Sequence, residues 1–229
     1  MDFITVVITS CNRADLLEKT LQSFFKFNTY PIKKIIIIDD SGIHGCVDNS
    51  LKMVPNHIDR ELIYKEKNLG QITSIDKAYS LVDTEYIFHC EDDWEFYNYG
   101  FMEKSLEILK SDSKIFCVWL REYQNSRVVL NGHPVLQEVH NNMYRKLGVF
   151  QERNNIWCGF TFNPGLRRLQ DYKINGPYSK IPKTECNSSC GGVEAYLSKL
   201  YFSQQFYSAI TLNTSGYVKH IGWDNPTTR

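Results

Sequence analysis

Residues 33–42 read KKIIIIDDSG, with four consecutive isoleucines between a pair of lysines and a pair of acids. An uninterrupted apolar run of strand length, with no alternating polar residues, is typical of a strand buried on both faces of a parallel sheet. Two carboxylates and a turn signal close the run. The stretch therefore predicts an α/β fold in which a central strand ends in acids.

On both sides of this stretch, strand and helix patterns alternate. FITVVIT at residues 3–9 predicts a first strand, and residues 14–27 have the spacing of a helix that Asn12 could cap, with Asp15 three residues on. Further strands are predicted at residues 61–66, 85–90 and 114–120, and further helices at 71–82, 98–109 and 193–206. This order predicts a doubly wound, mainly parallel sheet flanked by helices.

Beyond residue 120 the pattern loosens into short aromatic and polar pieces interrupted by Gly and Pro. We find no internal repeat and no low-complexity linker. The sequence therefore predicts a single domain, residues 1–229, whose first half (1–120) carries the sheet. Its loop-rich second half (121–229) is expected to cover that sheet.

Composition excludes several classes of protein. The 229 residues are 42% apolar, and 26 basic residues balance 26 acidic ones, so no diffuse positive field exists to attract nucleic acid or an anionic membrane. No apolar run approaches the length of a membrane span. Seven cysteines without regular spacing, after an N-terminus that fits a strand better than a secretory signal, indicate reduced thiols. We expect a cytoplasmic location and leave peripheral membrane association open.

Three consecutive acids, Glu91, Asp92 and Asp93, end the apolar run YIFHC. Adjacent carboxylates at a half-buried position need either solvent or a cation. Hard oxygen ligands suit Mg²⁺ or Mn²⁺, which could in turn hold a diphosphate. Residues two apart on a strand share a face, so Glu91 and Asp93 are expected to point together. In open parallel sheets ligands bind at the carboxyl ends of the strands, where Thr9, Ser10, Asp39, Asp40 and these acids all lie.

The order VVITSCNRADLLEKTLQSF, IIIIDDSG and NLGQITSIDKAYSLVDTEYIFHCEDDWEF resembles the nucleotide-sugar-binding half of family 2 glycosyltransferases with the GT-A fold. The resemblance covers residues 3–120. It implies an enzyme that uses Mn²⁺ or Mg²⁺ to move a sugar, a hexose by the usual pattern of the family, from a UDP-sugar to a hydroxyl of a glycan or lipid-linked glycan. It also implies inversion at the anomeric carbon.

The same resemblance implies roles for individual residues. Asp39 and Asp40 would bind the uridine, Asp93 would bind the metal, Asp92 would lie near the ribose and Glu91 would assist. TSCNR at 9–13 lacks the Pro and the aromatic residue that the family has there. The other donor contacts fall on Thr9, Ser10, Arg13, Asn68, Gly70, Gln71 and Asp76.

The second half should supply the catalytic base, because the first half holds the donor. Glu194, in CGGVEAYLSKL, occupies the position that the family gives to its base, at the start of a late helix. A Glu there could instead only stabilise the helix dipole, and Asp171 and Asp224 are alternative bases. His220 lies in GYVKHIGW, the predicted end of a late strand, and the resemblance makes it a second metal ligand. A lone His is otherwise typical of a surface or a hydrogen-bonded core position.

Aromatic residues near Gly159 suggest an acceptor platform. Sugar rings stack on aromatic faces, so Trp157, Gly159 and Phe160 are candidates, although such a stretch is also typical of a core. Arg167 and Arg168 could reach the diphosphate, but the simpler expectation is a solvated basic pair.

Other functions remain open at this point. A retaining transferase or a non-catalytic nucleotide- or glycan-binding module could share the fold. Cys186 and Cys190 have the spacing of half a zinc site, but no second pair accompanies them.

Overall fold

The computed structural model describes residues 2–124, 127–128, 134–152, 155–182, 184–186 and 190–222. The α-helices within these residues are α1 (Ala14–Phe27), α2 (Gln71–Tyr79), α3 (Phe101–Ser111), α4 (Leu169–Asn175) and α5 (Cys190–Ser203). The strands are β1 (Ile4–Ser10), β2 (Lys34–Asp39), β3 (Asp59–Tyr64), β4 (Tyr86–Glu91), β5 (Trp94–Phe96), β6 (Ile115–Trp119), β7 (Tyr123–Gln124), β8 (Arg127–Val128), β9 (Val135–His140), β10 (Tyr144–Leu147), β11 (Phe150–Glu152), β12 (Asn155–Trp157), β13 (Gly165–Arg168), β14 (Tyr207–Thr211) and β15 (Val218–His220). Two 3-10 helices span Asp48–Met53 and Tyr178–Lys180.

The main sheet has five strands in the order β13-β4-β1-β2-β3. β1 runs parallel to β2 and β4, and β2 runs parallel to β3. The register places Ser10 beside Asp39 and Thr9 beside Glu91. The polar ends of three adjacent strands therefore lie side by side on one edge, as the sequence predicts.

Both faces of this sheet are covered. Ile35 and Ile37 of β2 pack in the same core as Leu21 and Phe24 of α1, on one side. On the other side Ile36 and Ile38 share a core with residues of α2, α4 and α5, including Ile75, Leu169 and Leu197. Burial on two faces is the physical reason why the isoleucine run shows no alternation.

The second half of the chain completes the first sheet. β13 pairs antiparallel with β4, with Gly165 opposite His89. Gly165 also lies against β6, where a Cβ atom would stand 2.8 Å from the carbonyl oxygen of Val118. A second sheet, in the order β6-β14-β10-β9, extends from there.

A short ribbon brings the last described residues to the acids. β15 pairs antiparallel with β5, with His220 opposite Trp94, and the N–H of Ile221 donates to the carbonyl of Asp93. No helix in the described part of the chain is long and apolar enough to cross a bilayer.

The predicted mainly parallel sheet flanked by helices is confirmed, and so is the late strand that ends at His220. The predicted cap at Asn12 is wrong. The N-cap of α1 is Arg13, whose side chain makes no capping hydrogen bond. Asn12 lies one residue too early: its φ is 53° and its backbone N–H donates to Asp39. Boundaries also move: β3 begins at Asp59, and α5 spans Cys190–Ser203.

Candidate active site

One arginine, Arg13, contacts both carboxylates of the turn formed by Asp92 and Asp93 (the acid turn). Asp92 follows β4 directly and has no exposed surface, and Arg13 donates to both of its carboxylate oxygens. A second contact runs from Nη1 of Arg13 to Oδ2 of Asp93, at 2.9 Å. Burial raises the pKa of Asp92 to about 6 despite the arginine. Arg13 therefore supplies part of the positive charge that these adjacent acids need.

Asp93 combines three features of a cation ligand. His220 places Nε2 3.2 Å from its Oδ2, while Oδ1 is buried without a hydrogen-bond partner among the described residues. Burial alone would raise the pKa of Asp93, but hydrogen bonding from His220 and the charge of Arg13 bring it below its usual value. Gly222 packs directly against this carboxylate, because a Cβ atom there would lie 2.4 Å from Oδ2.

These contacts fit Mn²⁺ or Mg²⁺ held by two protein groups. The described residues contain no group of three or more His, Cys, Asp or Glu side chains able to hold a metal by themselves. Mg²⁺-type ions commonly use one or two carboxylates and take their remaining ligands from water and substrate phosphates. The unpartnered Oδ1 of Asp93 is the atom that such an ion would satisfy.

Glu91 is held by two neighbouring side chains. Its Oε1 accepts from Nε2 of Gln71 at 2.7 Å, and its Oε2 accepts from the indole of Trp94 at 3.1 Å. Burial, with Asp93 adding, raises the pKa of Glu91 to about 8. The expectation that Glu91 and Asp93 point together, until the turn reorients them, stays a prediction: Asp93 acts on the charge of Glu91, while Arg13 joins Asp92 to Asp93.

The second strand end forms a buried acidic pair. Asp39 has no exposed surface; it accepts from the N–H of Asn12 at 2.8 Å and from the N–H of Ser41 at 3.0 Å. Burial raises the pKa of Asp40, and burial together with Asp40 raises the pKa of Cys11 to about 12. Cys11 is thus a neutral thiol beside the acids.

The start of α2 closes the same edge. Asn68 accepts from the N–H of Gly70 at 2.9 Å, and Gly70 has φ of 87° with open space where a Cβ atom would be. Gln71 spans from Glu91 to Thr9, whose Oγ1 lies 3.4 Å from its Nε2. These predicted donor-binding residues therefore meet along one rim.

Glu194 lies near this edge, on the first turns of α5. Its Oε1 accepts from Thr161 Oγ1 at 3.0 Å and from the N–H of Phe162 at 2.5 Å. Its Oε2 makes no hydrogen bond to the residues that the structure describes. Burial raises the pKa of Glu194 to about 7, against the opposing charges of Arg167 and Arg121. A fixed carboxylate that titrates near neutrality can take a proton.

Sequence reasoning missed Arg121, which follows β6. It is buried, its guanidinium lies 5.1 Å from the ring centroid of Trp94, and both Glu91 and Glu194 support its charge. Burial nevertheless lowers its pKa to about 10. The position of Arg121 in the sequence could have indicated it, because ligands gather at the carboxyl ends of strands and Arg121 follows β6.

Comparisons with known proteins agree with this geometry. The family model described as Glycosyl transferase family 2 matches residues 5–173, well over half of the chain. The chain belongs to glycosyl transferase family 2. A search of curated proteins finds no significant match.

Solved structures show the fold of this family 2 chain. S. aureus TarS 1–349 in complex with UDP aligns with a TM-score of 0.63 and 14% identity, covering 95% of this chain and 60% of that one. The same protein with UDP-GlcNAc gives 0.60, also at 14% identity, over 97% and 61%. A Pyrobaculum calidifontis mannosyltransferase with GDP-Man and Mn²⁺ aligns at 0.46 and 17% identity, over 52% and 35%, a similarity too partial to argue from. The chain thus spans about three fifths of the TarS structures.

Two predicted donor contacts, Asp76 and Asp92, already have partners within the chain. Asp76 accepts from Tyr172, Tyr178 and Ser179 through both of its oxygens, so its contacts favour a structural role joining α2 to the Tyr178 helix. Asp92 could reach a ribose only if Arg13 moved off it, because the side chain has no exposed surface.

The predicted acceptor platform is corrected. Phe160 is 2% exposed and stacks on Phe116 and Tyr201, so it offers no face to a sugar. Gly159 has φ of 97° and leaves no room for a Cβ atom beside Ser208, which is a packing role. Trp157 is half-buried and donates to the carbonyl of Phe160, and it is the member of the trio whose ring is partly open.

The other residues that the sequence singled out either have structural partners or lie outside the described residues. Asp171 is buried and pairs with Arg168 at 3.1 Å, while Asp224 lies outside the described residues. Cys186 is a free thiol, and the side chain of Cys190 lies outside the described part. The expectation of a solvated pair at Arg167 and Arg168 is wrong, because Arg167 is 4% exposed and Arg168 donates to backbone carbonyls of the Leu109–Ile115 region.

Proposed function

We propose that this glycosyltransferase moves a sugar from a uridine diphosphate sugar to a hydroxyl of a glycan or lipid-linked glycan, with inversion, using Mn²⁺ or Mg²⁺. Residues 1–120 would hold the donor, and residues 121–229 would supply the base and the acceptor contacts. The observation that carries the proposal is Glu194, a base held by two hydrogen bonds beside the donor edge, with Oε2 left over for a substrate.

The proposed transfer uses residues of this chain in distinct roles. Oε2 of Glu194 takes the proton of the acceptor hydroxyl as that oxygen forms a bond to the anomeric carbon. The bond from that carbon to the diphosphate oxygen breaks on the opposite face, so the configuration inverts and the nucleoside diphosphate departs. Asp93 and His220 would hold the divalent ion, whose chemistry is to neutralise charge on the departing diphosphate.

Support for the donor class comes from two sources. Asp39, Asp40, Asn68 and Gln71 lie along one rim at the strand ends, where nucleotides bind in open sheets. The TarS structures with the same fold were solved with UDP and with UDP-GlcNAc.

The decisive experiment compares Glu194→Gln with the wild-type protein. Glutamine keeps Oε1 and can accept the same two hydrogen bonds, so the folded state and donor binding should persist. Transfer should fall by about 10²–10⁴-fold, the usual contribution of a general base. Full transfer by Glu194→Gln would refute the base assignment, and a product of retained anomeric configuration by NMR would refute inversion.

Asp93→Asn tests the metal part separately. It should abolish the thermal stabilisation that a UDP-sugar gives in the presence of Mn²⁺, because a ligand that binds only the folded state raises the melting point. Asp83→Asn is the matched control, since Asp83 pairs with Lys33 on the surface. Equal stabilisation in Asp93→Asn and wild type would contradict the metal assignment.

A further inference from the structure

Arg167, on β13, is a buried cation without a carboxylate partner. It is 4% exposed, and the described residues give it no ion pair within salt-bridge distance. Aromatic groups surround it instead: the ring of Phe160 lies 5.7 Å from the guanidinium carbon, and the hydroxyls of Tyr79, Tyr178 and Tyr201 are close enough to favour its charge. A buried charge normally requires a partner, so this one needs an explanation.

Its hydrogen bonding is equally incomplete. Nη2 donates to the carbonyl of Thr161 at 3.1 Å, while Nε and Nη1 are buried without a partner among the described residues. The adjacent Arg168 shows the contrast, because its donors reach the carbonyls of Leu109 and Ile115 and the carboxylate of Asp171. Arg168 anchors structure, whereas Arg167 is aimed at one peptide group.

That peptide group belongs to the segment that holds Glu194. Thr161 accepts from Arg167 through its carbonyl and donates through Oγ1 to Oε1 of Glu194. The next residue, Phe162, donates its N–H to the same oxygen. Thr161 therefore connects the guanidinium of Arg167 to the carboxylate of Glu194, with one hydrogen bond to each.

The charges that face Glu194 come from three strands of the structure. Arg167 on β13 and Arg121 after β6 both lower the pKa of Glu194, while Glu91 at the end of β4 lies close enough to interact unfavourably with it. Arg121 is shared with Glu91, whereas Arg167 stands behind the base among aromatic rings.

We propose that Arg167 is a positioning residue for the base: its hydrogen bond fixes the Thr161–Phe162 segment, and its unshared positive charge keeps Glu194 ionised near neutral pH. The inference rests on the proposed role of Glu194. It makes the aromatic interior behind α5 part of the machinery that sets the working pH of the enzyme.

Two substitutions separate the hydrogen bond from the charge. Arg167→Gln retains a donor for the Thr161 carbonyl but removes the charge, while Arg167→Lys retains the charge. The measurement is the pH profile of kcat/KM for transfer by the full chain, whose acid limb reports the ionisation of the base in the free enzyme. Arg60→Gln is the matched control, because Arg60 is exposed and likewise donates to a backbone carbonyl, that of Leu51.

We expect Arg167→Gln to shift the acid limb upward by about one pH unit, which is about tenfold lower kcat/KM below the limb, with recovery at high pH. Arg167→Lys and Arg60→Gln should keep the wild-type limb, and the donor KM should not change. A wild-type limb in folded Arg167→Gln would overturn the inference. If Arg167→Gln does not fold, a shifted limb in Arg167→Lys overturns it, and an unshifted one supports it.

Glu194→Gln distinguishes the two levels of failure. If that variant transfers sugar at the wild-type rate, the base assignment fails and the inference falls with it. If it is inactive while folded Arg167→Gln keeps the wild-type limb, only the role of Arg167 fails.

Discussion

Nη1 of Arg13 lies 2.9 Å from Oδ2 of Asp93, and the same guanidinium holds both carboxylate oxygens of Asp92. A side chain from the N-cap of α1 thus neutralises a turn about eighty residues further along the chain. Two adjacent acids can be buried at a strand end because this arginine reaches them.

Removing that arginine should destabilise the protein. Arg13→Met leaves Asp92 buried without its partner, and breaking a buried ion pair typically costs about 3–5 kcal/mol of the free energy of unfolding. Added Mn²⁺ should restore part of the loss, because it supplies a cation to Asp93. Thermal unfolding with and without Mn²⁺ measures both effects, with Arg13→Lys as the control that keeps the charge. An unchanged melting point in Arg13→Met would contradict this account.

Gly222→Ala should disturb metal binding through Asp93. The added Cβ atom would lie 2.4 Å from Oδ2 and 2.8 Å from Cβ of Asp93, so the carboxylate must shift. We expect Mn²⁺-dependent donor binding, measured by calorimetry, to weaken more than tenfold. Gly191→Ala is the control, because nothing lies within 4 Å of its Cβ position and alanine favours a helix. Wild-type affinity in Gly222→Ala would show that the close approach of Gly222 does not set the position of the Asp93 carboxylate.

The stability of Glu194→Gln relative to wild type should depend on pH. The folded-state pKa of Glu194 is about 7 against a usual 4.5, so between these values the folded state binds more protons than the unfolded state. The wild-type contribution is therefore present below pH 4.5 and is lost as pH rises toward 7. Urea unfolding from pH 5 to pH 8 should show the variant gaining stability relative to wild type, levelling above 7. A constant difference would mean that Glu194 is not perturbed.

Phe160→Ala should act on stability rather than on the acceptor. Phe160 stacks on both Phe116 and Tyr201, and truncating such a ring typically costs about 3–5 kcal/mol. Phe202→Ala, at a side chain that is 50% exposed, should change stability by less than about 0.5 kcal/mol. Denaturant titration measures the free energy of unfolding of both variants. Equal losses would mean that Phe160 is not a core ring and would make it a candidate acceptor contact again.

The strand ends could be predicted because their signals are local. The isoleucine run of β2 and the acids after β2 and β4 are adjacent in sequence, and parallel strands bring their carboxyl ends together whatever the loops do. His220 at the end of a late strand was predicted in the same way.

The contacts across the site could not be predicted, because each depends on distant packing. β13 is a four-residue strand reading GLRR, which has no apolar pattern, and it is defined only by pairing with β4. The partners of Arg13 and Arg167 follow from that assembly. Phe160 and Trp157 look alike in sequence, yet only the stacking of the interior decides which of the two faces solvent.

Gly165 has a consequence for how this enzyme can evolve. With room for no side chain between β4 and β6, it fixes the register of β13, and with it Arg167, independently of the forty or so residues that precede it. Under the proposed function, the chain between β7 and β12 can change in length without moving Arg167 or the acid turn, provided that the Thr161–Phe162 segment still holds Glu194. Acceptor preference can then diverge among relatives while donor chemistry is inherited unchanged.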